Sequence, residues 1–218
     1  MKRAVFALAL FCLATGASAI GMSAGLGASG AYYLTSGKYE GYGSSSDTLT
    51  RRVPFEFMAF FDMSYFQLAA GYRMFNGAHQ KTTVKGAGAG TNEADYMQSA
   101  GFISLAGYGK YPFKLGAITL FPMIGVEYDL AIAATDLNGN DLTGSEKTDT
   151  NEFWFKGGVG ADFSITPRLY LRPELIVGYK LLSRPEKDVI SSLKDSGYSS
   201  VSILDLSFEV AVLVGLRL

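Results

Sequence analysis

A set of charged side chains recurs at alternate positions of otherwise apolar segments, and these residues have the greatest capacity for chemistry in this sequence. Side chains two positions apart on a β-strand point to the same face. One face would therefore gather acids and bases, which can form ion pairs, conduct ions or supply carboxylates for acid–base catalysis. The set comprises Arg52, Glu56, Arg73, Glu127, Asp129, Glu152, Lys156, Asp162, Arg172, Glu174, Lys180, Asp205, Glu209 and Arg217.

Catalysis by these residues has little support in the sequence. A serine hydrolase needs a histidine that is oriented by a carboxylate, and the single histidine, His79, has no acid near it in the sequence. Paired acids such as Glu127 and Asp129 leave a carboxylate-only hydrolase open as an alternative. Residues 136–141 have a spacing similar to a calcium loop but lack its central glycine. We therefore predict no enzymatic activity, no cofactor and no metal site.

The charged residues are positioned by β-strands, because apolar and polar side chains alternate around them. In the final stretch, 204–218, Asp205, Ser207, Glu209 and Arg217 lie in one phase and apolar residues lie in the other. The same pattern predicts eight strands, although the facing of 96–109 is ambiguous. These strands are expected at 20–34, 52–62, 64–75, 96–109, 117–132, 151–164, 169–182 and 202–218.

The connections between these strands alternate in length. Short ones lie at 62–64, 110–116 and 165–168, and the others are long, polar and rich in Gly, Ser, Thr and Asn. This alternation predicts an all-β fold, an eight-stranded antiparallel up-and-down meander with both termini on the rim of short turns. The long loops are expected at 35–51, 76–95, 133–150 and 183–201, with a short amphipathic helix at 187–195.

Periodicity does not determine which face lies inside, so a soluble lipocalin-like barrel is an alternative. Glycines in the charged phase favour a narrow lumen lined by the charged residues. Aromatic residues near the strand ends indicate two girdles at the interfaces of a membrane. Toward the long loops these are Tyr32, Tyr128, Phe153 and Tyr179, and toward the turns they are Phe61, Phe66 and Phe163. We therefore predict a transmembrane β-barrel whose apolar face contacts lipid.

The start of the chain predicts export. A basic beginning, an apolar run over 4–14 and small residues at 17–19 are typical of a signal peptide that is cleaved after Ala19. Cleavage removes Cys12, the single cysteine, and leaves one domain at 20–218. The formal net charge of −1 argues against a nucleic acid partner, which would require a basic surface.

With this architecture the chain resembles the small eight-stranded outer-membrane β-barrel proteins of the OmpX, OmpW and OmpA-barrel type. The resemblance covers 20–218, although Leu218 stands where these families usually end in an aromatic residue. It implies insertion by the barrel machinery into the outer membrane of a diderm bacterium, with the long loops exposed at the cell surface.

Three uses of the lumen and loops remain open. The charged lumen forms either a salt-bridged plug or a narrow path for ions and small solutes. The resemblance to OmpW adds an apolar duct for small hydrophobic molecules, lined by the inward residues Phe121, Met123, Ile176 and Leu213. The loops are candidates for binding an extracellular or host ligand. We favour surface interaction, adhesion or an envelope-structural role, with a narrow porin or OmpW-like channel as the alternative.

Overall fold

The computed structural model describes residues 21–41, 43–86, 88–181, 184–195 and 197–218. The predicted signal peptide, 1–19, lies outside these residues. The strands are β1 Met22–Gly41, β2 Ser44–Arg52, β3 Phe55–Met63, β4 Phe66–Lys85, β5 Gly90–Lys110, β6 Phe113–Leu115, β7 Ile118–Ala134, β8 Glu152–Ser164, β9 Leu169–Leu181 and β10 Tyr198–Arg217. The helices are α1 Gly144–Thr148 and α2 Arg184–Asp195.

These ten strand segments form the eight strands of one closed antiparallel barrel. Two of the eight consist of two segments each, so we call each barrel strand a lane. β2 and β3 pair with β1 in a single register and are interrupted at Pro54, which has no N–H to donate. β5 and β6 share one register against β7 in the same way, with Pro112 in the break between them. Each lane pairs with the next along the chain, and β10 pairs with β1 to close the ring. The predicted eight-stranded meander is therefore confirmed.

The outer face of the ring is apolar and the inner face carries the charges. Leu26, Phe57, Ile124, Val159 and Leu175 expose more than half of their surface, although they lie in mid-strand. The charged residues of the opposite phase are mostly buried inside the ring. A soluble barrel would bury its apolar face, whereas a bilayer covers such a belt with lipid. The fold is therefore a transmembrane β-barrel and not a lipocalin-like one.

Aromatic residues mark the two ends of the apolar belt on its outer face. Five of the predicted girdle residues are about 40% exposed (Tyr32, Tyr128, Phe153, Phe163 and Tyr179), Phe66 is more exposed, and Phe61 is half-buried. The strand whose facing was ambiguous, β5, directs Ser104 and Tyr108 into the lumen, while Ile103 and Leu105 face outward. Its glycines therefore share the lipid-facing phase.

Two of the four predicted loops are wrong. Residues 35–51 and 76–95 are largely strand, and among the described residues of these segments only 43, 86, 88 and 89 lie outside strands. Polar cross-strand pairs stabilise these hairpins, including a hydroxyl pair between Thr48 and Thr82 at 3.3 Å and an ion pair between Lys81 and Glu93 at 2.7 Å. The sequence interpretation relied on apolar alternation, which these polar strands lack.

The extra strand length builds a sheet beyond the rim of the barrel, which we call the protruding sheet. It consists of residues 35–41, 44–51, 78–85, 90–97 and 198–204. The other lanes end at this rim, β7 at Ala134 and β9 at Leu181. A β-bulge places Met97 and Gln98 of β5 opposite the single residue Gly77 of β4, where φ is +86°, and shifts the register between these strands where the barrel passes into this sheet.

The two remaining predicted loops carry the helices. α2 confirms the helix expected at 187–195 and begins three residues earlier. The segment 135–151 contains α1 and an isolated bridge between Thr135 and Asp141. In the part of the chain that the structure describes, no helix is long and apolar enough to cross a membrane.

Candidate functional site

Arg73 on β4 is the centre of the charged lumen. Its guanidinium contacts Glu56 at 2.5 Å and Asp129 at 2.6 Å, and it also donates to Glu127. Glu209 lies 3.8 Å away. Each of these five side chains is at most 4% exposed. A buried cation among four carboxylates is held by charge-assisted hydrogen bonds, so Arg73 links the strands that carry its partners.

Lys156 on β8 completes this central cluster. Its ammonium group contacts Glu127 at 2.7 Å and Glu209 at 2.8 Å. Ser104 on β5 donates to Glu56. With Arg73, these contacts connect every lane except those of β1 and β9 across the lumen. The network therefore crosslinks six of the eight lanes. Removing one of its charged members would leave an uncompensated buried charge.

A second cluster lies nearer the short turns and is centred on Arg172. Its guanidinium contacts Asp62 at 2.5 Å, Asp162 at 2.5 Å and the side-chain oxygen of Gln67 at 2.8 Å. Lys110 also contacts Asp62. The amide of Gln67 donates to Glu174 at 3.2 Å. This cluster therefore blocks the turn side of the lumen with a second network of charges.

The predicted apolar duct is interrupted by these cations. Phe121, Met123 and Ile176 pack together inside the ring, whereas Leu213 belongs to a separate cluster. The guanidinium carbon of Arg172 lies 4.9 Å from the centre of the Phe121 ring, and the Lys110 ammonium lies 4.4 Å from it. Charged groups therefore cover Phe121, and these apolar residues fill the lumen beside the charged clusters.

The space that remains between the clusters is small. A cavity of about 10 Å³ is lined by Glu56, Glu127, Glu174 and Glu209, among other side chains. A cavity of this size holds about one water molecule. The geometry of the lumen is therefore that of a plug, with room for a bridging water between the glutamates.

The other predicted lumen residues lie toward the two ends. On the loop side, Arg52 pairs with Glu152 at 3.4 Å and Lys180 pairs with Asp205 at 2.8 Å. On the turn side, Arg217 is partly exposed, and its guanidinium stacks 5.0 Å from the ring of Tyr170. Arg217 also donates to Ser164 and the carbonyl of Pro167, so it caps the turn rim.

Sequence reasoning missed three members of the turn-side cluster. Asp62 and Lys110 were assigned to short turns, and Gln67 carries no charge, so none was included in the set. The strand phase was the signal for two of them, because Asp62 is in phase with Glu56 and Lys110 is in phase with Ser104. Gln67 had no such signal, since an uncharged amide in a strand is not distinctive.

A polar pocket opens at the loop end of the lumen, and we call it the mouth pocket. Its volume is about 220 Å³, and Arg52, Glu152, Lys180, Phe75 and Phe102 are among the residues that line it. Phe75 and Phe102 stack with their ring centres 6.4 Å apart and form an apolar wall. The pocket therefore offers cationic, anionic and aromatic surfaces to a molecule that approaches from the loop side.

The histidine has a partner that sequence reasoning did not find. His79 Nδ1 lies 2.7 Å from Asp95, which is its cross-strand neighbour on the protruding sheet. This pair lies on the same face as Lys81 and Glu93 and is exposed, and no hydroxyl or thiol is hydrogen-bonded to His79 among the described residues. The hydrogen bond from Lys81, together with its positive charge, lowers the pKa of Glu93.

The segment that resembled a calcium loop is closed by its own hydrogen bonds. Asp136 accepts backbone hydrogen bonds from Asn138 and Asn140 at 2.8 Å each and a side-chain hydrogen bond from Asn140 at 3.0 Å. The Asn140 hydrogen bonds are the main cause of the lowered pKa of Asp136. Among the residues that the structure describes, no group of three or more His, Cys, Asp or Glu is arranged to hold a metal ion.

Comparison with solved structures finds outer-membrane β-barrels. Neisserial surface protein A has a TM-score of 0.43 at 12% identity, with coverage of 88% of this chain and 97% of that protein. The outer membrane protease OmpT from Escherichia coli has a TM-score of 0.45 at 9% identity, covering 91% and 97%. OprG from Pseudomonas aeruginosa has a TM-score of 0.40 at 13% identity, covering 91% and 96%.

No protein-family model matches the chain, and no curated protein matches it. The assignment of the fold rests on the closed ring and its exposed apolar belt.

Proposed function

We propose that this protein is a non-enzymatic β-barrel of the outer membrane of a diderm bacterium and that its protruding sheet contacts molecules outside the cell. In this proposal the signal peptide, 1–19, is removed on export, and the barrel machinery inserts the domain 20–218. The observation that carries the proposal is the continuation of five strands beyond the lipid-facing belt as an ordered polar sheet.

The edge of this sheet is suited to contact another polypeptide. Residues 90–96 of β5 pair with β4 on one side, and no strand pairs with their other side among the described residues. An open edge presents unpaired N–H and C=O groups to an incoming strand. The segments 135–151 and 184–195 lie at the same end of the barrel and add to the surface available to a partner.

A plugged lumen supports surface interaction over transport. Arg73 and Lys156 are bridged to four carboxylates in the centre, and Arg172 is bridged to two near the turns. An ion crossing the barrel would have to separate buried ion pairs, and leaving a buried charge without its partner costs about 3–5 kcal/mol. The narrow channel is therefore the less favoured function.

We propose that the protein is not an enzyme because of the position of the pair formed by His79 and Asp95. A hydrolase that uses histidine needs a nucleophile or a bound water beside a substrate cleft. His79 and Asp95 instead stand on the outer face of a sheet, within a row of exposed ion pairs. Their arrangement suits a surface hydrogen bond that stabilises the hairpin.

The test shortens the protruding sheet without changing the barrel. Because Gly37 pairs with Thr48 and Gln80 pairs with Ala94, residues 38–47 and 81–93 can each be replaced with an Asn-Gly turn that keeps the strand register. Purified full-length and shortened barrels are applied to immobilised fibronectin, laminin, collagen and heparin. Heat-modifiable migration on gels establishes that both proteins are folded.

We expect the full-length barrel to bind at least one of these surfaces and the shortened barrel to lose most of that binding. The proposal fails if the folded full-length barrel binds none of them, or if both proteins bind equally well.

A further inference from the structure

We infer that the mouth pocket is a binding site for a compact carboxylate and that Arg52 is the residue that receives it. The ligand is either a small free carboxylate or the acidic side chain of a polypeptide. The inference goes beyond the proposed function, because it concerns the end of the lumen and does not depend on what the protruding sheet contacts.

Arg52 has hydrogen-bonding capacity that the protein does not use. Its side chain is 13% exposed, and its one hydrogen bond runs from Nη1 to Glu152 at 3.4 Å. A guanidinium carries five N–H donors, so four of them have no partner among the residues that the structure describes. A largely buried group in this state is best satisfied by an acceptor in the pocket that it lines.

Two aromatic rings hold the guanidinium in place. The Cζ atom of Arg52 lies 5.2 Å from the centre of the Phe75 ring and 5.9 Å from that of Tyr33. Cation–π contacts of this kind orient the planar group without consuming its N–H donors. Arg52 is therefore preorganised, which lowers the entropy lost on binding.

The shape of the guanidinium selects the ligand. The Nε and Nη2 atoms form one edge of the guanidinium, and a carboxylate can accept two parallel hydrogen bonds from such an edge. This edge is unused, because the contact with Glu152 comes from Nη1. The pocket volume of about 220 Å³ admits a small carboxylate or one acidic side chain.

Two acids line the mouth pocket, Asp149 and Glu152, and Glu152 is the one that contacts Arg52. Glu152 accepts a hydrogen bond from Trp154 Nε1 at 3.1 Å on Oε2, and its other oxygen, Oε1, makes the longer contact of 3.4 Å with Arg52. Lys180, the other cation of the pocket, is paired with Asp205 at 2.8 Å. A ligand carboxylate would therefore compete with Glu152 for Arg52, and removing the charge of Glu152 should strengthen binding.

The chain contains its own reporter for this site. Trp154 is the single tryptophan, and it is buried and hydrogen-bonded to the carboxylate that contacts Arg52. A ligand that takes hydrogen bonds from Arg52 shifts Glu152 and so changes the environment of the indole. The fluorescence of Trp154 is therefore measured in detergent while the folded barrel is titrated with acetate, with chloride at equal ionic strength, and with a short Asp-containing peptide.

We expect a saturable fluorescence change with a carboxylate and no saturable change with chloride. Arg52→Gln should weaken binding by about tenfold or more, since hydrogen bonds to charged groups contribute about 1.5–3 kcal/mol and 1.4 kcal/mol corresponds to tenfold. Glu152→Gln should tighten binding. Arg51→Gln is the matched control, because Arg51 is the adjacent residue on β2 and is exposed on the other face.

The relative affinities of acetate and the peptide distinguish the two sources of the carboxylate. Tighter binding of acetate identifies a free solute, and tighter binding of the peptide identifies an acidic side chain. Either result supports the site. The inference is overturned if folded protein shows no saturable change with either probe, or if Arg52→Gln and Arg51→Gln bind both probes as the unmodified barrel does. Heat-modifiable migration of each variant shows that it is folded.

Discussion

Gly160 lies against the ring of Phe121, so closely that a Cβ at position 160 would overlap the ring carbons. The same relationship recurs on the lumen side of other strands. A Cβ at Gly71 would overlap the carboxylate of Glu56, and one at Gly215 would overlap the ring of Tyr170. The large side chains of the lumen therefore fit because glycines on the neighbouring strands leave them room.

Replacing Gly160 with valine should destabilise the barrel. The new side chain would have to displace Phe121, which is 1% exposed and packed beside Arg172. Overpacking of this kind costs about 1–3 kcal/mol. The free energy of unfolding is measured by urea titration of refolded protein, followed by heat-modifiable migration.

The matched control for this substitution is Gly157→Val. Gly157 lies on the same strand but faces lipid, and the nearest atom to a Cβ at this position, the carbonyl oxygen of Met123, is 3.7 Å away. We expect its stability to stay close to that of the unmodified barrel. Equal losses at the two positions would contradict the assignment of the inner and outer faces.

Strand phase explains how much of the fold was predictable from the sequence. Alternation places Glu127 and Asp129 on one face whatever the tertiary structure, so the charged inner face follows from residue order alone. The extent of β1, β2, β4 and β5 does not follow in this way. Their outer halves have polar side chains on both faces, and they become strands through pairing with one another, which no single segment reveals.

Which charged residues pair with each other in the lumen also could not be predicted from the sequence. Phase shows that Arg73 and Arg172 point inward, but not that Arg73 meets Glu127 while Arg172 meets Asp62. Those pairings depend on the stagger between lanes, which is fixed by the closure of the ring. The mouth pocket depends on the same stagger, since it brings Arg52 of β2 to Glu152 of β8.

Replacing Arg73 should lower the free energy of unfolding more than most single substitutions. Arg73→Met leaves four carboxylates around an apolar side chain, with Lys156 as the remaining cation of the central cluster. Breaking a buried charge network by removing one partner costs about 3–5 kcal/mol. The loss is measured as a change in the free energy of unfolding in urea.

Lys81→Met is the comparison for Arg73→Met. Lys81 forms an ion pair with Glu93 in which both side chains are about half exposed. Pairs of this kind contribute about 1 kcal/mol or less. If both variants lose the same stability, the central cluster does not crosslink the barrel.

The pKa of Glu93 should depend on Lys81. In the folded protein it is lowered by the hydrogen bond and the charge of that residue. The contribution of the pair to hairpin stability is therefore present above the unfolded pKa of Glu93 and is lost as the pH falls through its folded pKa. Lys81→Gln should raise the pKa of Glu93 toward its ordinary value, measured by NMR titration of the side-chain carboxyl carbon. Lys85→Gln should leave it nearly unchanged.

Because the belt faces lipid, a charged side chain introduced at mid-strand should destabilise the inserted barrel. Leu175 is 57% exposed on β9 within this belt, so Leu175→Arg would place a cation in hydrocarbon. The cost of such a substitution near the midplane is about 2–4 kcal/mol. Leu137→Arg serves as the control because Leu137 is 46% exposed in the segment beyond the rim. The barrel orientation would be wrong if refolding into vesicles were equally efficient for both.

Because its lumen is plugged, the barrel is predicted not to conduct ions. In planar bilayers the folded barrel should show no discrete openings, because Arg73, Lys156 and Arg172 are each bridged to carboxylates on other strands. A general porin of known conductance, inserted under the same conditions, checks the assay. Reproducible openings that change in Arg172→Gln would contradict the plug and support the narrow channel. Openings that Arg172→Gln leaves unchanged would point to a path outside the lumen, because Arg172 lies within its turn-side cluster.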